Sequence, residues 1–180
     1  MARKNKIYFN TIFVVDDEEV FLAGVETHLQ NKNKKANIYC YTSGEDCVAN
    51  LKHKPELVVL DYHLAPEGES AMNGLQTLHK IKADNSNAYV VILTGDDSIQ
   101  VANDTKKHGA FDYIVKGETA FAKLDINCTH ILKQIGDARE IEDFKKFKIG
   151  FLVIVILFIV TLWYFTSGHL VISDALWGNN

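Results

Sequence analysis

The chain is 180 residues long, carries a formal net charge of −4 and has three cysteines and two prolines. That length holds one domain of ordinary size plus an appendage, and an acidic chain with no basic stripe in its first 135 residues argues against nucleic acid as a partner. Cys40, Cys47 and Cys128 lack the C-x-x-C spacing of a metal or redox site, so they read as small buried apolar residues in a reducing compartment. The basic N-terminus, residues 1–6, has no apolar core of the signal-peptide kind.

In chain order, residues 12–15 form a short apolar, β-branched run that ends on Asp16 and Asp17. Val20, Phe21, Val25 and Leu29 share one face of a helix beginning near Glu18, and residues 38–41 read as a second strand. Ser43 serves as the N-cap of the next helix, with Cys47, Val48 and Leu51 inward and Pro55 closing it off. Residues 57–60 run into Asp61, and after Gly74 a third helix turns Leu75, Leu78 and Ile81 inward. Residues 89–93 run into Thr94 and Gly95, Ile99 and Ala102 lie on a fourth helix ending at Gly109, and residues 113–115 run into Lys116. Phe121, Leu124, Cys128, Ile131 and Ile135 keep a helical spacing on a fifth. Three turns are too few for a coiled-coil seam, so that face is assigned to packing on the sheet. Five strands alternating with five helices predict an α/β fold with a doubly wound parallel sheet.

The composition then changes. Residues 138–148 are mostly charged, with Ile141, Phe144 and Phe147 at helical spacing, and read as a short helical stalk that can run on into the stretch after it. Residues 149–168 contain no charge, and 151–160 are apolar without a break. Twenty helical residues span roughly 30 Å, about the hydrocarbon thickness of a bilayer. Lys145, Lys146 and Lys148 precede this stretch, whereas only His169 and Asp174 follow it. Excess lysine marks the cytoplasmic side, and Trp163 and Tyr164 suit the far interface. The expectation is a single-pass protein of the cytoplasmic (inner) membrane, with its N-terminal domain in the cytoplasm and residues 169–180 as a short tail on the other side.

In an open parallel sheet, ligands bind at the carboxyl ends of the strands. Asp16, Asp17, Asp61, Thr94 and Lys116 all follow strand-like runs, so they converge on one edge. The mutual repulsion of three acids favours a hard divalent cation with oxygen ligands, most naturally Mg2+. A cation shields Asp61 from an incoming phosphoryl group, and Lys116 offers a fixed positive charge to its oxygens. The Thr94 hydroxyl can turn toward a new acyl phosphate, and Gly95 beside it leaves room.

In this order along the chain, the set resembles the receiver domain of two-component response regulators over about residues 8–137. The resemblance implies a flavodoxin-like, five-stranded sheet of order 2-1-3-4-5. It implies Asp61 as phosphoacceptor, Asp16, Asp17, Asp61 and the main-chain carbonyl of His63 as Mg2+ ligands, and Lys116 and Thr94 as catalytic partners. Thr94 and Tyr113 would be the switch pair. It further implies a histidine kinase or phosphotransfer protein as donor and no enzymatic activity beyond Mg2+-dependent self-phosphorylation and autodephosphorylation. The expected output is contact with a membrane partner or a homodimer through helix four, strand five and helix five. Two departures stand out. Gly117 follows Lys116 where the family usually has proline, and Gly74 comes thirteen residues after Asp61, later than is usual. The extra residues fall in the 63–72 loop, where Glu67 and Glu69 could repel phosphate or shape kinase recognition; the simpler reading is a tolerated surface insertion. Haloacid-dehalogenase-like phosphatases use similar groups, but with the nucleophile first and the paired acids last, the reverse of the order here. The other alternative is a receiver fold acting as a phosphorylation-independent membrane-tethered adaptor or as a phosphate sink.

Overall fold

A computed structural model describes residues 7–64 and 71–177, with side chains up to 165. Glu67 and Glu69 lie outside the described residues, as do 178–180. The elements are β1 (Thr11–Val15), α1 (Glu19–Lys32), β2 (Asn37–Tyr41), α2 (Gly44–Ala49), β3 (Leu57–Leu60), α3 (Gly74–Asp84), β4 (Tyr89–Thr94), α4 (Ile99–Lys107), β5 (Asp112–Val115) and α5 (Ala120–Trp177). All strand pairs are parallel, in the order β2-β1-β3-β4-β5, which is the flavodoxin-like order the sequence predicts.

Helices on both faces of the sheet explain why the central strands read as unbroken apolar runs. Every residue of β3 is buried, as are all but the first of β1 and β4. Alternation divides these side chains between two faces. Phe13, Val15, Val58, Leu60, Val90 and Ile92 pack with Cys47, Leu78 and Ile81 of α2 and α3. Ile12, Val14, Leu57, Val59, Val91 and Leu93, also buried, point to the opposite face, where α1 and α5 meet through the stacked rings of Phe21 and Phe121.

Two predicted helix faces are corrected. Val20 is 83% exposed and Leu22 takes its place, so α1 buries Leu22, Val25 and Leu29. Val20 lies two residues from Leu22, about 200° around a helix, and so on the far side. In α4, Ile99 is 79% exposed. It is the first residue after the Ser98 N-cap, and the only buried residue of this helix is Thr105, whose hydroxyl donates to the carbonyls of Val101 and Ala102. Ser43 caps α2 as expected, accepting from Asp46 N at 3.2 Å.

The chain forms two compact units, Met1–Gln134 and Ile135–Asn180. In the first, α5 buries Leu124, Cys128 and Ile131, the face the sequence assigns to packing. The helix runs without interruption to Trp177, so the stalk continues into the uncharged stretch and residues 169–177 are helical as well. Most of the second unit's described apolar side chains, among them Ile141, Phe144, Phe147 and most of residues 149–165, are exposed. This helix is long and apolar enough to cross a membrane.

Candidate phosphoryl-acceptor site

Main-chain hydrogen bonding continues one residue past the strands. Asp16 N donates to Tyr41 O at 3.1 Å, Asp61 N to Val15 O at 2.8 Å and Lys116 N to Thr94 O at 2.7 Å. Each polar residue thereby inherits the register of its strand, and the carboxyl edge of the sheet becomes a rigid frame for side chains that are far apart in sequence.

Inside that frame, ligand oxygens of Asp16, Asp17 and Asp61 all lie within 4.8 Å of one another. Lys116 Nζ bridges two of them, 2.7 Å from Asp16 Oδ2 and 2.7 Å from Asp61 Oδ2. Asp16 and Asp61 are buried, and the Lys116 side chain is only 16% exposed. Burial raises the pKa of Asp16 above the ordinary carboxylate range; hydrogen bonds from Lys116 and from Glu18 N pull it down without offsetting that cost. At Lys116 burial works against the charge, but the bonds to Asp16 and Asp61 outweigh it and the pKa stands above normal. Three carboxylates against one ammonium leave the cluster net negative, and an all-oxygen donor set of this kind fits a hard divalent cation such as Mg2+.

Asp61 is fixed from a second side, since His63 N donates to its Oδ1 at 3.1 Å. Behind it the chain returns very close. Gly74 N donates to Tyr62 O at 3.0 Å, and a Cβ on Gly74 would lie 2.6 Å from Tyr62 Cα and closer still to Asp61 O. Only glycine permits this approach. The adjoining Asn73 and Gln76 form a reciprocal capping box that starts α3 at this point.

Thr94 is fully buried, and its Oγ1 accepts from Asp96 N at 3.3 Å. The hydroxyl thus engages its own loop. Tyr113 reaches the same loop, its OH donating to the main-chain carbonyl of Asp96. Burial, with Asp96 and Asp97 nearby, raises the pKa of Tyr113. Asp96 also accepts from Ser98 N at 2.7 Å and lies 3.2 Å from His63 Nε2, and both contacts lower its pKa, the Ser98 N–H more strongly. The imidazole of His63 is therefore turned toward the β4–α4 loop.

Asp96 is absent from the sequence prediction, although an Asp two residues ahead of a capping serine is a local signal for a side-chain-closed turn. The ring of Phe21, predicted to be core, lies 4.5 Å from Lys116 Nζ. That contact spans 95 positions and no local pattern encodes it.

A doubly wound sheet with three acids, a buried threonine and a lysine at its carboxyl edge defines a receiver. The family model described as "Response regulator receiver domain" matches residues 12–124, and the chain belongs to that family. Among curated proteins it is 33% identical over 75 residues to the regulatory protein LuxO of Vibrio vulnificus, covering 41% of this chain and 16% of LuxO. It is 33% identical over 107 residues to the probable transcriptional regulatory protein TcrX of Mycobacterium tuberculosis, covering 59% and 43%. The chain thus spans less than half the length of these relatives. Among solved structures, the receiver domain of NtrX from Brucella abortus matches with a TM-score of 0.59 at 28% identity, covering 68% of this chain and 98% of that one. The BeF3-activated DrrB receiver domain matches with a TM-score of 0.60 at 24% identity, covering 71% and 99%; at that identity the likeness concerns the fold.

Proposed function

We propose that this chain is a membrane-anchored receiver that accepts a phosphoryl group on Asp61 from a histidine kinase or phosphotransfer protein and changes its protein contacts in response. The observation that carries this reading is the Asp16–Lys116–Asp61 cluster, with two 2.7 Å ion pairs in a nearly buried, net negative edge site. Asp61 Oδ attacks phosphorus, the P–N bond to the donor histidine breaks, and the departing imidazole nitrogen keeps the electron pair. Asp61 loses one negative charge while the phosphoryl oxygens bring more, and Lys116 remains to pair with them. Asp16, Asp17, Asp61 and the His63 carbonyl would hold Mg2+, which when bound neutralises charge between the acids and the incoming group. Thr94 and Tyr113, both bonded to Asp96, form the readout pair: a Thr94 hydroxyl drawn to the phosphoryl group must release Asp96 N. The chain acts as a switch rather than an enzyme with an external substrate.

Anchoring rests on the exposed apolar side chains between 149 and 165 and on the lysines that precede them. It puts residues 8–137 in the cytoplasm, 138–148 as stalk, 149–168 in the cytoplasmic membrane and 169–180 beyond it. Output runs to a membrane partner or to a second copy through α4, β5 and α5. Retention of every acid, the hydroxyl and the lysine weighs against a phosphorylation-independent adaptor, and a phosphate sink would share the same chemistry without output.

The full chain in nanodiscs, incubated with acetyl phosphate and Mg2+, should gain the mass of one phosphoryl group, and Asp61→Asn should gain none. No gain in the native chain refutes the acceptor reading. Extraction of expressing cells with alkaline carbonate should leave the protein in the membrane pellet, and quantitative release refutes the anchor.

A further inference from the structure

The ammonium of Lys116 has a third neighbour besides the two carboxylates. The ring of Phe21, in the first turn of α1, lies with its centroid 4.5 Å from Nζ, inside the range at which an aromatic face attracts a cation. The ring is itself held in place. Phe121 of α5 stacks on it with centroids 6.2 Å apart and planes 12° from parallel, and His28 stacks on Phe121 at 4.8 Å. His28 and Lys32 both reach Asp125, each at 2.8 Å. A column of rings between α1 and α5 therefore ends against the lysine of the site.

We infer that Phe21 is a positioning residue for Lys116: its ring face holds the ammonium at the phosphoryl-acceptor edge independently of the charge on Asp61. The inference rests on the acceptor reading and deepens it. Lysine is a flexible chain with a strongly hydrated head, and its two ion-pair partners are not equivalent during phosphoryl transfer. Asp61 ceases to be a carboxylate when it is phosphorylated, so one of the two ion pairs fixing Lys116 loses its negative partner just when the ammonium must shift toward the phosphoryl oxygens. The attraction to a ring face does not depend on the charge of any carboxylate and leaves at least two donors of the ammonium for oxygen acceptors. Gly117, the next residue, contributes no side chain to brace Lys116, and the space where one would begin is open. Phe21 supplies that bracing from α1.

The competing account is that Phe21 is only packing, in which case any apolar residue of similar size would serve. Phe21→Leu removes the ring while keeping an apolar side chain, Phe21→Met is a second apolar replacement in case leucine impairs folding, and Phe21→Tyr keeps the ring. In the full chain in nanodiscs with acetyl phosphate and Mg2+, the apolar variants should lose about three- to tenfold in initial phosphorylation rate, with Phe21→Tyr within about twofold of native. Lysine labelled with 13C at Cε gives a second readout that does not depend on phosphorylation. The Lys116 Hε resonances should be shifted upfield by the ring, return to the ordinary lysine position in the apolar variants and stay shifted in Phe21→Tyr. A native rate in folded Phe21→Leu, or Lys116 resonances that do not respond to loss of the ring, overturns the inference. A native chain that gains no phosphoryl group instead overturns the acceptor reading, and the resonance shifts still decide whether Phe21 fixes Lys116.

Discussion

Replacing Gly74 by alanine would put a methyl group where the main chain of the Asp61 loop already lies. The new Cβ would be 2.6 Å from Tyr62 Cα, against the 3.4 Å at which ordinary contact begins, a shortfall of 0.8 Å against backbone rather than a flexible side-chain end. Either α3 or the loop must withdraw, and the Gly74 N to Tyr62 O bond of 3.0 Å stretches with it. Overpacking of this kind costs about 1–3 kcal/mol, and a weakened hydrogen bond adds about 1 kcal/mol. The better helix propensity of alanine returns at most about 1 kcal/mol. The net loss of about 1–3 kcal/mol lowers the melting temperature by roughly 3–12 °C for a domain of this size. Thermal unfolding of the full chain in detergent, followed by near-ultraviolet circular dichroism, measures it. Gly95→Ala and Gly117→Ala are internal controls, since a Cβ at either meets nothing within 4 Å, and each should stay within about 0.5 kcal/mol of native. Acceptor chemistry at Asp61 should suffer more than stability, because a displacement near 1 Å at a reacting group costs on the order of a hundredfold. A Gly74→Ala protein that melts within about 2 °C of native and is phosphorylated at the native rate would refute the close-approach argument.

Asp125 gives a pH-dependent test. Burial pushes its pKa up, but the hydrogen bonds from Lys32 and His28 prevail and hold it below the ordinary 3.8. A lowered native pKa means the stabilisation is present above the unfolded value and is lost as pH falls through the native one. Asp125→Asn should therefore lower stability at pH 7, by at most about 1 kcal/mol for a partly exposed pair, and the difference should shrink progressively as pH falls below 3.8, read by urea unfolding at pH 7 and through the acid range. An undiminished difference at low pH would assign the loss to packing. For the thiols, burial pushes Cys47 and Cys128 up to about 12, and Cys40, with Glu26 beside it, to about 11. Iodoacetamide at pH 8 should label all three slowly in the native chain, the two buried ones slowest, and rapidly in urea; labelling of Cys47 at the rate of a free thiol would contradict its burial.

The central strands β1, β3 and β4 were legible because two-sided burial forces apolar residues at nearly every position, and Asp16, Asp17, Asp61 and Lys116 followed because each sits one or two steps past a strand end. The sequence was less informative where burial is one-sided. Near the start of α1 the apolar residues Val20, Phe21 and Leu22 are adjacent, and periodicity alone did not select Leu22 over Val20. Ile99 looked like a core residue because nothing local reveals that α4 buries only Thr105. The helical stalk was legible from the spacing of Ile141, Phe144 and Phe147, but the full length of α5 was not: the helix runs on through residues 169–177, where the sequence has neither a proline nor an effective stop. Asp96 and the ring of Phe21 escaped notice because their roles are defined by partners elsewhere in the sequence, His63 and Tyr113 for one and Lys116 for the other.

Asp96 divides its work between two parts of a single residue. Its carbonyl receives Tyr113, and its carboxylate receives Ser98 N and His63. Any amino acid supplies the carbonyl, whereas few supply the carboxylate. Evolution can therefore rewrite the tie to His63 and the start of α4 while leaving the tyrosine latch intact, so that the responsiveness of the loop is open to tuning by one codon but its hinge is not.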